Sequence, residues 1–297
     1  MKIKSFNCGA CSCKSSKRLY YVFDHEYCLK NMTLYRECND CESLSQSPMP
    51  SEKQLQKFYP QSYHSFSGNG ILTRTRLWMR FVRIRDHLEK DDNLLDYGCG
   101  DGNFIYFAAK KLPYNKFFGY EISTNNEIIK NRNVIIIKGD AQYLFKNLPN
   151  FKIITMNHTI EHLPKPQEII KKLFGKLNDT GFIEGQTPAT KSFEKFIFKN
   201  YWSGFHSPRH TVIFSALGLK KIFLKIGFRN VFVQSGFNPA SYAVSIGSIT
   251  KKKHKILKRN GIKWLILVFI GGIFSFIDIF IKRPNIVNFK AYKSSLL

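Results

Sequence analysis

Short apolar runs alternate with amphipathic segments through the middle and the end of this 297-residue chain. The runs have the length and the β-branched or aromatic content of buried strands, whereas the segments between them repeat apolar residues at helical spacing. Strands that alternate with helices are typical of a mostly parallel sheet covered on both faces. The pattern therefore predicts an α/β fold with a doubly wound, seven-stranded sheet. We place its strands at residues 93–97, 116–121, 134–138, 153–157, 181–187, 230–235 and 286–292.

A helical pattern precedes the first of these strands. Leu77, Phe81, Ile84 and Leu88 fall on one stripe of this helix, which predicts that it packs against the edge of the sheet. Arginines occupy the rest of its surface, and we interpret them as a solvent-exposed face that could also meet a phosphate. These arginines are Arg74, Arg76, Arg80, Arg83 and Arg85.

Six of the seven cysteines lie in the first 41 residues. Residues 1–18 contain no apolar segment of a secretory signal, so we expect the chain to start in the reducing cytosol, where such a density of thiols favours a metal over disulfides. Two Cys-x-x-Cys pairs flank possible strands at 20–23 and 33–35, and this spacing matches a four-cysteine zinc ribbon. The predicted ligands of a structural zinc ion are Cys8, Cys11, Cys38 and Cys41.

The ligand set is less certain than the metal, because Cys13 or Cys28 could replace one of the outer ligands. Unliganded thiols in a loop-rich segment are the alternative. We expect the segment to be a separate unit whose metal can be removed with little effect on the rest of the chain. Composition then divides the chain into a ribbon-like segment (1–43), a Ser-, Gln- and Pro-containing linker (44–70), a core (71–250), a basic and hydrophobic insertion (251–285) and a final strand with a tail (286–297).

The densest motif lies at residues 94–104, where two leucines lead into Asp96 and then into glycines at positions 98, 100 and 102. Glycines at these places let a ligand approach the main chain without obstruction by a Cβ atom. Three later strand ends also carry polar motifs. They are Glu121, the Gly139-Asp140-Ala141 sequence, and the run from Asn157 to Pro164 that contains Glu161-His162-Leu163.

Together these motifs resemble those of class I S-adenosylmethionine-dependent methyltransferases, which have a Rossmann-like sheet. The resemblance implies that Asp96 braces the glycine loop, that Glu121 accepts both ribose hydroxyls and that Asp140 accepts the adenine amino group. The position of Glu121, about 20 residues beyond the glycine loop, agrees with this role. The implied cofactor residues are Asp96, Tyr97, Gly98, Cys99, Gly100, Gly102, Glu121, Ile122, Asp140, Ala141 and Asn157.

The second half of the chain narrows the resemblance. The segment 185–188, Trp202, the run 205–215 and the segment 224–228 are similar to methyltransferases of surface-polysaccharide gene clusters and to ubiquinone-type O-methyltransferases. The resemblance covers nearly the whole chain, including the cysteine pairs. It implies methyl transfer to a hydroxyl of a sugar or lipid-linked acceptor in surface-glycan biosynthesis.

An alcohol acceptor needs a base, and histidine titrates near neutral pH. His158, His162, His206 and His210 lie in suitable loops, and we favour His162 or His210. Glu161 could orient one of them or help to hold a divalent cation, as in ubiquinone-type relatives. The alternative for residues 208–210 is a structural loop in which Arg209 pairs with an acid.

The formal charge of +25 indicates an anionic partner, although an A+T-rich genome would also enrich the chain in lysine. One rival hypothesis is therefore an RNA methyltransferase that binds RNA through the ribbon and the basic surface. Against it, the Asn/Asp-Pro-Pro-aromatic signature of amino-group methylation is absent, since Asn157-His158-Thr159-Ile160 stands in its place. A non-catalytic zinc-ribbon adaptor with a vestigial cofactor pocket is a second rival, and the intact acidic and glycine motifs argue against it.

Residues 262–281 contain only Lys263 and Asp278 as charged residues and follow a basic run at 251–259. Their length just suffices to span a bilayer. Because the strand at 286–292 must return to the sheet, we predict instead a helix, or a helical hairpin broken near Gly271-Gly272, that lies on an anionic membrane surface. The chain would then be cytoplasmic and peripheral on the inner face of the membrane. A buried helix or an oligomer contact is the alternative.

Overall fold

Two sheets form the framework of the computed structural model, which describes residues 5–59, 70–122, 126–251, 257, 259 and 261–295. The strands are β1 (Ser16–Phe23), β2 (Met32–Cys38), β3 (Leu44–Gln46), β4 (Asn93–Tyr97), β5 (Lys116–Glu121), β6 (Glu127–Asn131), β7 (Val134–Lys138), β8 (Phe151–Thr155), β9 (Leu177–Pro188), β10 (Val212–Ile213), β11 (Asn230–Ser235) and β12 (Ile286–Tyr292). The helices are α1 (Glu52–Gln56), α2 (Ile71–Arg85), α3 (Asn103–Lys111), α4 (Ala141–Asn147), α5 (Pro166–Gly175), α6 (Phe193–Phe198), α7 (Ala216–Ile226), α8 (Pro239–Thr250) and α9 (Gly261–Phe280).

The larger sheet has the strand order β11-β12-β9-β8-β4-β5-β7-β6 within the described residues. Neighbours from β9 through β8, β4 and β5 to β7 are parallel, whereas β12 is antiparallel to both β9 and β11. The chain leaves β4 in one direction to form β5 and β7, and it returns on the other side to form β8 and β9. Ligands of such sheets bind at this switch point, beyond the carboxyl ends of the strands. The predicted α/β class is confirmed.

Most predicted strands have the predicted bounds, but β8 ends two residues earlier and β9 begins four residues earlier than expected. The sheet also has a strand that the sequence did not predict. This strand, β6, pairs antiparallel with β7 at the edge of the sheet and is exposed along most of its length. An edge strand with two solvent-exposed faces needs no apolar alternation, so its sequence carries no strand pattern.

The smaller sheet joins the ribbon to the core in the order β1-β2-β3-β10. Its third strand, β3, lies inside the predicted linker 44–70, so that prediction is wrong for its first residues. Leu44 is fully buried in an apolar cluster with Trp202 and Phe205, which explains why the segment forms a strand. Residues 60–69 of the predicted linker lie outside the described residues.

The ribbon also shares its apolar core with the larger sheet, so the predicted separate unit is not observed. Cys8, Cys38 and Cys41 belong to the same buried cluster as Leu95 and Phe214. The β10 strand pairs with β3 directly, from Val212–Ser45 to Ile213–Leu44. Disturbance of either part therefore reaches the other.

The helices α8 and α9 pack against each other, and α8 also contacts α6. The helix α9 runs unbroken through Gly271 and Gly272, so the alternative of a helical hairpin is wrong. A Cβ atom at Gly271 would lie 2.2 Å from the carbonyl oxygen of Pro239, which shows that this glycine serves close helix packing and not a break. By length and composition α9 could cross a membrane. The basic residues Lys252, Lys253, Lys255 and Lys258 lie outside the described residues.

Candidate functional site

The glycine loop between β4 and α3 lies at the switch point of the sheet. Gly98, Gly100 and Gly102 have φ angles of +85°, +56° and +76°, which favour glycine. A Cβ atom at Gly98 would lie 2.3 Å from the Thr159 hydroxyl oxygen. This loop therefore passes close to the segment after β8 and exposes its main chain at the carboxyl end of the sheet, as a cofactor cradle requires.

Glu121 at the end of β5 faces this loop. Its Oε2 accepts a hydrogen bond of 2.7 Å from the Gly100 amide. Burial raises the pKa of this carboxyl group to about 7, although the Gly100 amide favours the charged form. The carboxylate thus lies beside the main chain of the loop, where a bound ribose would meet it.

The next strand end places Asp140 and Ala141 at the start of α4. Asp140 Oδ1 caps this helix by accepting from the Tyr143 amide at 2.9 Å. Ile122 is half exposed after β5, whereas the Tyr97 ring is buried and stacks on Tyr120 at 4.9 Å. Tyr97 can therefore face a ligand through its backbone alone. The Cys99 thiol is mostly turned into the protein beside Gly119.

The Asp96 carboxylate is not free to bind a ligand, because it is buried and pairs with Arg80. Arg80 Nη2 lies 2.9 Å from Asp96 Oδ1, which also accepts from the Thr155 hydroxyl at 2.5 Å. Burial raises the pKa of Asp96 despite these two partners. The carboxyl group thus connects α2, β4 and β8 below the glycine loop.

Arg83 makes the neighbouring contacts. Its Nη2 donates to Asn157 Oδ1 at 2.6 Å, and its Nε lies 2.9 Å from Glu184 Oε2. The Asn157 Nδ2 atom is buried and has no hydrogen-bond partner among the described residues, so it is a donor available to a ligand. These contacts overturn our interpretation of the α2 arginines as a solvent-exposed face for Arg80 and Arg83, whose side chains are 17% and 24% exposed. The sequence signal that could have indicated these ion pairs is an acidic residue on each of two buried strands, Asp96 and Glu184.

The segment after β8 brings Glu161 and three histidines together. Glu161 is fully buried and accepts from the Thr187 hydroxyl at 2.9 Å. Its Oε1 atom lies 3.5 Å from His158 Nδ1 and 3.9 Å from His210 Nε2. Burial opposes ionisation, but the hydrogen bond and charge of His158 outweigh it and lower the pKa of Glu161. With a 44% exposed side chain, His158 is the member of this group that solvent or a substrate can reach.

His210 is buried instead, and His162 is partly buried. Their rings meet edge to face at 4.5 Å, and each has a backbone partner, since His162 Nδ1 lies 3.2 Å from Arg209 O and His210 Nδ1 lies 2.8 Å from Gly204 O. Burial lowers the pKa of His162 to about 4 and that of His210 well below its ordinary value. The structure brings both residues to the site, but in positions that suit a scaffold better than a base. Glu161, His162 and His210 have ligand atoms close enough to hold a metal ion.

The ribbon holds the loop that carries His206 and His210. Arg209 is fully buried and donates to both carboxylate oxygens of Asp24, at 3.0 and 3.1 Å. His206 Nδ1 lies 2.8 Å from Glu26 Oε1. The alternative interpretation of Arg209 as a structural cation paired with an acid therefore agrees with the geometry, and the acid comes from the N-terminal segment.

The four predicted zinc ligands converge in the ribbon. Their sulfur atoms all lie within 4.8 Å of one another, with 3.6 Å between Cys8 and Cys41 and 3.5 Å between Cys11 and Cys38. Four sulfurs bound to zinc at about 2.3 Å are about 3.8 Å apart. The donor set thus fits a tetrahedral zinc ion, and Cys13 and Cys28 lie outside it.

Comparison with known proteins agrees with this site. A family model described as a methyltransferase domain matches residues 72–233. A malonyl-[acyl-carrier protein] O-methyltransferase from Calditerrivibrio nitroreducens is 29% identical over 107 residues, which are 34% of this chain and 42% of that protein. The match therefore spans less than half of that relative.

Two solved structures are similar in fold. Haemonchus contortus phosphoethanolamine N-methyltransferase 2, in complex with phosphomonomethylethanolamine and S-adenosylhomocysteine, has a TM-score of 0.51 at 16% identity and covers 94% of this chain and 68% of that one. A S-adenosylmethionine-dependent methyltransferase from Archaeoglobus fulgidus has a TM-score of 0.45 at 19% identity and covers 76% of this chain and 100% of that one.

The fold and the glycine loop define a class I S-adenosylmethionine-dependent methyltransferase. Because the family model covers more than half of the chain, the chain belongs to the methyltransferase-domain family. The predicted class is confirmed.

Proposed function

We propose that the chain transfers the methyl group of S-adenosylmethionine to a hydroxyl of a sugar or lipid-linked acceptor in surface-glycan biosynthesis. The pair formed by His158 and Glu161 carries this proposal. It places a reachable imidazole over a buried carboxylate directly after Asn157, and Thr159 of the same segment contacts Gly98 of the cofactor loop. A base therefore stands beside the expected position of the methyl donor.

The cofactor supplies an activated methyl group when it is bound. We propose that the residues inferred from the sequence bind this cofactor. Among these, Glu121 meets the ribose, Asp140 and Ala141 meet the adenine, and the unpartnered Asn157 amide donates to the methionine end. Asp96 acts indirectly, because its carboxylate already accepts hydrogen bonds from Arg80 and Thr155.

His158 would accept the proton of the acceptor hydroxyl as the hydroxyl oxygen bonds to the methyl carbon and the methyl–sulfur bond breaks, which would leave S-adenosylhomocysteine. Glu161 stabilises the imidazolium that forms, because its Oε1 atom lies 3.5 Å from His158 Nδ1 and has no hydrogen-bond partner among the described residues. His162, His206 and His210 lie behind Glu161 and hold the loop in place. This arrangement favours His158 as the base over our expectation of His162 or His210.

We also propose that Cys8, Cys11, Cys38 and Cys41 hold a structural zinc ion and that the chain works as a peripheral protein at the inner, anionic surface of the membrane. The fit of the four sulfurs to tetrahedral geometry supports the metal. The basic charge of the chain supports the membrane. A membrane location also brings the enzyme to a lipid-linked acceptor.

His158→Ala should lower the rate of methyl transfer by about 10²- to 10⁴-fold, because a general base typically contributes that much. The measurement is transfer of radiolabelled methyl groups from S-adenosylmethionine to a lipid extract, to sugar nucleotides and to total RNA. Binding of S-adenosylhomocysteine should stay unchanged, since Glu121 and the glycine loop are intact. His87→Ala, at an exposed histidine after α2, serves as the matched control.

Label in the lipid or sugar fraction that requires His158 would support the proposal. Label in RNA would replace the acceptor with RNA. Full activity of His158→Ala would remove this residue as the base. Loss of activity in His162→Gln without loss of thermal stability would return that role to His162.

A further inference from the structure

The polarity of α9 is inverted relative to that of an ordinary surface helix. Its buried residues are Gly271, Ser275 and Asp278, whereas large apolar side chains point outward. A surface helix of a globular protein normally turns its apolar stripe to the core. The exposed side chains, at 37% to 72%, are Ile262, Leu265, Ile266, Phe269, Ile273, Phe276, Ile277, Ile279 and Phe280.

The polar residues of this helix are used to hold it to α8. The Tyr242 hydroxyl donates to Asp278 Oδ1 at 2.8 Å, and the Asn238 amide donates to Ser275 Oγ at 3.0 Å. Asp278 is fully buried, so the Tyr242 bond lies in an environment poor in water, and this burial raises the pKa of Asp278 to about 6. Ser275 and Asp278 Oδ1 on the inner face therefore have partners in or next to α8, and Asp278 Oδ2 has no hydrogen-bond partner among the described residues, whereas the outer face is mainly apolar. An exposed apolar area of this size marks an interaction surface.

Both ends of α9 are fixed to the same folded body. At its end, the Asp278 carbonyl accepts from the Arg283 amide, and the Arg283 carbonyl accepts from the Phe193 amide at 3.0 Å. The strand β12 then inserts between β9 and β11. Before its start, Leu257 donates to the Glu26 carbonyl and Arg259 pairs with the Glu26 carboxylate. The helix is about 30 Å long, which would suffice to cross a bilayer, but a crossing would need one of these attachments to break.

We infer that the outer face of α9 is a lipid-facing surface that lies in the interface of an anionic membrane, with both helix ends on the same side. Charge selects this occupant over a second copy of the chain. Lys263 lies in the first turn of the helix, Lys282 and Arg283 follow its end, and the whole chain carries a charge of +25. Two copies would repel each other, whereas acidic headgroups would be attracted. The inference gives the proposed membrane association, on which it rests, a defined surface.

Vesicle flotation of the full chain tests the surface. The chain should float with phosphatidylglycerol-containing vesicles and much less with pure phosphatidylcholine vesicles. Phe269→Glu should reduce binding about tenfold or more, because it removes a large apolar side chain from the lipid-facing surface and adds a negative charge. Tyr114→Glu is the matched control, since Tyr114 is 70% exposed outside α9 and should leave binding unchanged. Equal binding of Phe269→Glu and the wild type would overturn the inference.

Labelling tests the orientation. The variants Lys263→Cys and Lys282→Cys, at charged positions near the two ends of the helix, should both react with a membrane-impermeant maleimide added outside sealed vesicles, as measured by peptide mapping. Protection of one of them would show a transmembrane helix and contradict the inference. A chain that does not float, but forms dimers dissociated by Phe269→Glu in sedimentation velocity, would assign the surface to a second copy. Binding of S-adenosylhomocysteine, measured on the same samples, separates failure of the surface from failure of the methyltransferase function.

Discussion

Glu121→Ala should weaken the binding of S-adenosylhomocysteine by about tenfold or more. Glu121 Oε2 lies beside the Gly100 amide at the end of β5, where a ribose would donate both hydroxyls to it. A charge-assisted hydrogen bond contributes about 1.5–3 kcal/mol, and about 1.4 kcal/mol corresponds to a tenfold change. Isothermal titration calorimetry of the two proteins measures the difference.

The affinity of the wild type should also rise with pH, because burial raises the pKa of Glu121 to about 7. Below that pH the ligand-free carboxyl group is mostly protonated, whereas the ribose hydroxyls favour its ionised form. Binding therefore releases a proton, and affinity should fall by up to about tenfold for each pH unit below 7 and level off above it. Glu121→Gln should abolish this dependence.

Glu168→Ala is the control for this experiment, since Glu168 is an exposed acid on α5 that pairs with Lys165. Its affinity and pH dependence should match those of the wild type. Unchanged affinity of Glu121→Ala would refute the proposed role of this residue. Preference of the wild type for NAD would refute the proposed cofactor.

The strand ends of the parallel sheet could be predicted because each buried apolar run stops at a residue that suits a ligand site. Glu121 is the last residue of β5 in both the prediction and the structure. The partners of these residues could not be predicted in the same way. Helical spacing places Arg80 and Arg83 on α2, but it does not show which face of the helix meets Asp96 and Glu184.

The role of the histidines depends on burial, which the sequence does not contain. All four lie in loops of similar composition, yet His158 is exposed and His210 is enclosed. Distant contacts make the difference. The Tyr35 hydroxyl of the ribbon donates to His210 O at 2.8 Å, across 175 residues of sequence. Periodicity and local motifs report on neighbours in the chain, so they cannot reveal a loop enclosed by the N-terminal segment.

The combined substitutions Cys8→Ser and Cys11→Ser should remove one equivalent of zinc and lower the thermal stability of the whole chain. Structural zinc contributes about 10 kcal/mol or more to small domains, which is comparable to the total stability of a typical protein. The ribbon here is not an isolated unit, because Cys8 and Cys41 are buried in one cluster with Leu95 of the larger sheet. Differential scanning calorimetry and elemental analysis measure the two effects.

Loss of the metal should also reach the cofactor site, contrary to the expectation of a separate ribbon. The ribbon acid Asp24 holds Arg209, and Thr211 of the same loop donates to the Glu161 carbonyl at 2.7 Å. Glu161 belongs to the short segment after β8, and Thr159 of that segment lies against the glycine loop. Release of the loop that carries Arg209 should therefore reduce binding of S-adenosylhomocysteine as well as stability. Cys28→Ser lies outside the four-sulfur cluster and should preserve both. A metal-free double variant that melts at the wild-type temperature would show that the four thiols need no ion.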